Sequence, residues 1–121
     1  MTSIDDDKKI SQDTQDWQHR VVMMLAILAK EAKIMGYDEF AHAADIPAPH
    51  RIHKLTEFLE ELIAEDVSQS APIRAAVIVS KVSRIPAAGF FLKLEDCGCD
   101  KAEDEGRYHQ ALLQALNPAF G

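Results

Sequence analysis

The sequence predicts a mostly helical α+β domain, with a compact helical core and one short β segment. Three observations carry that class. Apolar residues recur at helical three- and four-residue steps in several stretches, proline and glycine punctuate the chain between them, and one run, Ile73 to Val82, is rich in β-branched residues instead. A length of 121 residues fits one domain able to bury its own core. Residues 1–13, acidic and without apolar periodicity, read as a mobile arm, and 14–121 read as a single globular domain.

The first helix is set by Trp17, Val21, Met24, Leu25, Leu28, Ala32 and Met35. Asp13 or Thr14 can cap its start, Gly36 can take the left-handed position that ends it, and its apolar centre marks it as the main packing helix. A short second helix runs from about Asp38 to Ala44, with Tyr37, Phe40, Ala41 and Ala44 inward. It stops at Asp45-Ile46-Pro47 because the residue before proline avoids helical geometry. Pro49 suits the first turn of a third helix, whose buried stripe is Ile52, Leu55, Leu59, Leu62 and Ile63. That helix carries His50, Arg51, His53 and Lys54 at its start, where the dipole disfavours cations by a few tenths to about 1 kcal/mol. An arrangement that works against the helix points to a role beyond it.

The run Ile73 to Val82 is too apolar on both faces for an exposed edge, so it must be covered and paired. Its partner is either a short irregular strand near Ile85 to Phe91 or the same strand of a second subunit, which would make a homodimer through Ile73–Val82. Phe90, Phe91, Leu94 and Cys97 fit a short helix ended by Gly98. A last helix, roughly Glu103 to Leu116, would be stopped by Asn117-Pro118.

Composition narrows the function classes. Apolar residues at 47% and charged residues at 27% are ordinary for a globular protein. The longest apolar run, Val21 to Ala29, is far short of the roughly 20 residues that cross a bilayer, so no membrane partner is expected. Met1 to Lys9 includes Asp5, Asp6 and Asp7 and lacks the apolar stretch of a secretory signal. Two cysteines do not make a disulfide framework, and a reducing cytoplasm is the simplest compartment. The net charge of −7 argues against non-specific binding to phosphate backbones. Its distribution is uneven. Residues 1–46 hold five basic and nine acidic residues and 95–121 hold two and six, so each end carries −4, whereas 47–94 hold six and five and carry +1.

The segment from Tyr37 to Leu55 resembles a helix-turn-helix, with Ala41 as the small residue that lets two helices cross and Asp45 where a turn glycine is usual. Taken over 37–94 it resembles a winged-helix domain, in which a hairpin follows the second helix, though the second strand of that wing has no clear counterpart here. The resemblance implies a partner of double-stranded DNA. Arg51 and Lys54, with His50 and His53, would form the reading helix, and Arg74, Lys81 and Arg84 would lie on or beside the wing. The plain alternative is that these side chains are solvated and that the domain contacts a protein partner with no nucleic acid involved; the acidity favours that. The run from Tyr37 to Phe91 also resembles small bacterial proteins to which no activity is attached, through Pro72-Ile73-Arg74-Ala75-Ala76-Val77-Ile78-Val79-Ser80 and Pro86-Ala87-Ala88-Gly89-Phe90-Phe91.

Chemistry-bearing motifs are few. Cys97-Gly98-Cys99-Asp100 with His109 contains metal-ligand residue types, but structural zinc sites draw on four ligands and usually on Cys-x-x-Cys pairs, so free thiols are the expectation and no metal or cofactor is assigned. No glycine-rich phosphate loop, nucleophile elbow or HExxH helix is present, and the Glu60-Glu61 and Glu103-Asp104-Glu105 clusters read as solvated faces. A non-enzymatic domain is expected.

Overall fold

A computed structural model describes the backbone from Thr2 to Phe120 and the side chains from Gln15 to Phe120. Helix α1 spans Thr2–Glu31, strand β1 Met35–Gly36, α2 Tyr37–Ala43, α3 Arg51–Ser68, β2 Ile78–Val79, α4 Ala88–Asp96 and α5 Glu105–Phe120, and a 3-10 turn over Arg74–Val77 precedes β2. The chain is mostly helical, with one two-stranded parallel sheet in which Met35 faces Ile78 and Gly36 faces Val79. Helix α1 begins ahead of Asp13 rather than at it, and the mobility expected of residues 1–13 lies outside the described side chains.

The segment read as a long strand is mostly something else. Only Ile78–Val79 is extended, and Arg74–Val77 coils into the 3-10 turn against which α1, α3 and α5 all pack. Small side chains explain this, because Ala75 and Ala76 let three helices crowd one stretch of backbone. The turn is anchored at both ends of its polar inventory. Asp66 accepts the Arg74 backbone N–H, and the buried His109 donates from Nε2 to the Ala76 carbonyl at 2.7 Å. Ile73 and Ala75 to Val79 are buried within their own chain, and β2 pairs with β1. The unpaired strand that suggested a homodimer through Ile73–Val82 is therefore not there.

Three boundaries also differ from expectation, each for a local reason. Helix α1 ends at Glu31 because Ala32 takes the left-handed position (φ 55°), with Lys33 N–H bonded back to Leu28 O, whereas Gly36 is extended in β1 (φ −71°). Helix α3 begins at Arg51 rather than Pro49, after a cis Ala48–Pro49 peptide and a left-handed His50 (φ 62°). Helix α5 runs through Pro118 to Phe120, which packs on the core one turn beyond the buried Leu116. Ile52, expected in the buried stripe of α3, is instead 46% exposed because it lies in the helix's first turn beside the 81–84 loop, whereas Leu55, Leu59, Leu62 and Ile63 are buried as expected. Asp45 adopts the left-handed geometry (φ 54°) of the turn glycine it replaces, and Gly98 (φ 97°) closes α4 while Cys99 N–H reaches back to Leu94 O.

Candidate binding cleft at the start of helix α3

The turn between α2 and α3 presents four consecutive carbonyls, and three cations hold them. Arg20 of α1 donates from Nε to Ala44 O (2.7 Å) and from Nη2 to Asp45 O (3.1 Å). Arg51 donates from Nε to Ile46 O (2.9 Å), and Lys54 from Nζ to Pro47 O (2.9 Å). This explains the cations at the positive end of the α3 dipole: carbonyls left over at the end of α2 recruit them. The pair singled out as base readers has a structural duty, and both side chains are half-buried.

The other predicted residues divide. Arg74 lies away from the turn, with Nη2 2.8 Å from Asp66 Oδ1, Nε 3.0 Å from the same oxygen, and Glu65 at 3.7 Å. Asp66 is 3% exposed, so Arg74 serves a buried ion pair. His50 and His53 are exposed at the start of α3, His53 facing Glu57 at 3.2 Å. Lys81 and Arg84 are exposed, and their side chains make no hydrogen bond or ion pair with any described residue. They sit on a closed loop in which Ser80 N–H donates to Ile85 O (2.8 Å) and Arg84 N–H donates to Ser80 O (2.9 Å). Val82, at the loop tip, is 93% exposed. The hairpin wing expected after α3 is reduced to this four-residue tip.

Between the tip and the helices lies a cleft of about 540 Å³. Lys81 and Arg84 come to it from the loop, Tyr37, Asp38 and Glu39 from α2, and Ile52 and Thr56 from α3. Thr56 is tied to Ile52 O, leaving Ile52, 46% exposed, as the apolar surface of that wall. The Tyr37 hydroxyl oxygen accepts the Ala87 N–H at 2.9 Å, which clips α2 to the segment after the loop. Burial pushes the Tyr37 phenol above its ordinary value, and the Ala87 hydrogen bond offsets part of that. A shallower hollow of about 410 Å³ adjoins the cleft, shares Asp38 and Ile52 with it, and is lined by His42, His50 and His53. His42 donates from Nδ1 to Asp38 O and faces the Asp38 carboxylate at 3.3 Å.

Cys97 and Cys99, at the end of α4, are free thiols packed against the core. His109 is turned to Ala76 rather than to them. Among the described residues no three His, Cys, Asp or Glu side chains gather as a metal site would require.

Sequence reasoning reached Lys81, Arg84, His50 and His53 but missed Tyr37, Asp38 and Glu39 as neighbours of the loop. The available signal was Lys81-x-x-Arg84 flanking an exposed valine; nothing in the sequence tied it to residues some 40 positions earlier. The domain is mostly helical, and the cleft lies between α2, the start of α3 and the 81–84 loop. No protein-family model matches the chain, and neither a curated protein nor a solved structure is significantly similar to it. No described helix is long and apolar enough to cross a membrane.

Proposed function

We propose that this chain is a non-enzymatic, cytoplasmic protein-interaction domain that holds a partner protein where the start of α3 meets the 81–84 loop. The carrying observation is the make-up of that face. Exposed Ile52 shares the cleft with Lys81 and Arg84 and with Asp38 and Glu39, an apolar residue among both charges, and Val82 stands exposed between the two cations in the loop. A surface for phosphates would have cations without those carboxylates, and here Arg51 and Lys54 are engaged by the turn.

A photo-crosslinking residue placed at Val82 should give a protein adduct in cells, while one at the exposed Gln114 of α5 should not. Equal labelling from both positions would sink the reading. A second reading, a winged-helix-like module on double-stranded DNA, draws on Lys81 and Arg84 lying beside the first turns of α3. Its mark would be duplex binding that falls steeply between low and physiological salt and disappears in K81A/R84A.

A further inference from the structure

We infer that the 540 Å³ cleft is a docking groove for a short peptide segment of mixed charge. A carboxylate-bearing residue would lie against Lys81 and Arg84, an apolar residue over Ile52, and a basic residue against Asp38 and Glu39. The inference rests on the protein-interaction reading and specifies its partner. The volume falls within the range of roughly 300–1,000 Å³ typical of ligand sites, enough for a few side chains and too little for a packed helix.

The charges in the cleft are left apart. Lys81 and Arg84 line the same cleft as Asp38 and Glu39, yet no ion pair among the described residues joins the two sets. Asp38 meets only His42, and Glu39 has no partner among the described residues. Tyr37 adds a directed donor: its oxygen already accepts from Ala87, so its own O–H hydrogen, which any phenol keeps at neutral pH, remains for a ligand. Complementarity to this set favours an acid and a base on one ligand over a polyanion.

The loop is also prepared for binding. Both backbone polar groups of Ser80 are used inside the loop, so Ser80 itself offers no strand edge to a partner. Arg84 is held in left-handed geometry (φ 64°), a conformation unfavourable for a non-glycine residue that fixes where the side chain leaves the loop. A loop backbone already fixed before the partner arrives lowers the entropy lost on binding.

Panning random peptides displayed on phage against the full chain supplies the probe, and the enriched peptides are then synthesised. The expected peptides place Asp or Glu and Lys or Arg on either side of an apolar residue. Their amide shift changes should centre on Tyr37 and on Ser80 to Arg84. K81E/R84E should weaken binding at least tenfold. K81A/R84G, which removes both charges and relaxes the left-handed residue, should do the same with the fold kept. Recovery of no peptide, recovery of peptides without an acidic residue, or unchanged affinity in both double variants would overturn the groove. A Val82 adduct in cells without any recovered peptide would remove the groove and leave the protein-interaction reading standing. Peptide binding in the cleft without a cellular adduct would do the reverse.

Discussion

Replacing Arg74 with alanine separates a structural cation from a binding one. The Asp66 carboxylate is 3% exposed and is held by the Arg74 backbone N–H at 3.0 Å, by Nε at 3.0 and 3.1 Å, and by Nη2 at 2.8 Å. Arg74→Ala keeps the backbone donor and removes the guanidinium, leaving a buried carboxylate without its counter-charge. Removing one partner of a buried pair costs about 3–5 kcal/mol. The Arg74 side chain is 16% exposed, so water reaches the vacated space and the low end, about 3 kcal/mol, is expected. For a domain of this size that is a fall in Tm of roughly 10–15 °C. Urea unfolding followed by the fluorescence of Trp17, buried edge-on against Phe58, reports it. Arg74→Ala/Asp66→Asn should recover part of the loss, because the amide brings no buried charge. A loss below about 1 kcal/mol with an unchanged m value would refute the buried-pair account and return Arg74 to the surface.

Arg20→Ala removes the donors to Ala44 O and Asp45 O and should cost about 1–3 kcal/mol in the same assay, with the largest rise in amide exchange at the α2–α3 turn. Ala32→Gly relieves a left-handed alanine at the end of α1 and should raise stability by up to about 1 kcal/mol; a loss would show that the position is unstrained. Tyr37 has a folded-state phenol above its ordinary value of 10.0, so its contribution is complete below pH 10 and disappears as pH rises through the folded value. Stability should therefore fall on alkaline titration, and Tyr37→Phe should flatten part of that fall. Tyr108, raised by burial and then by Cys99 and Asp100, contributes in the same direction and should account for some of the remainder.

Helical periodicity made α1, α3 and α4 legible, because burial on one face leaves a three- and four-residue spacing that tertiary context did not override. The stretch after α3 was not legible in the same way. An apolar run such as Ile73 to Val79 satisfies a strand or any fully buried backbone, and what decides is the pair of alanines that admits three helices, visible only once those helices are placed. β1 has two residues and cannot show alternation. The cations of α3 were legible but their hydrogen bonds were not, since the carbonyls that hold them belong to a turn whose conformation the sequence does not spell out. The cleft was half visible: its loop carries exposed charge that composition reveals, and its other wall comes from a distant segment joined by the parallel pairing.

That pairing has a kinetic consequence. β1 and β2 lie roughly 40 residues apart in the chain, and closing so long a loop carries an entropy cost that helix–helix contacts between neighbours avoid. Contacts between neighbouring helices, α2 with α3 and α3 with α4, should therefore form first, with Met35–Gly36, Ile78–Val79 and the Tyr37–Ala87 clip joining later. The cleft exists only after that last step. Anything that binds it selects the closed form and shifts the opening equilibrium by mass action, so occupancy should be readable as slowed hydrogen exchange at the sheet amides, even before the occupant is known.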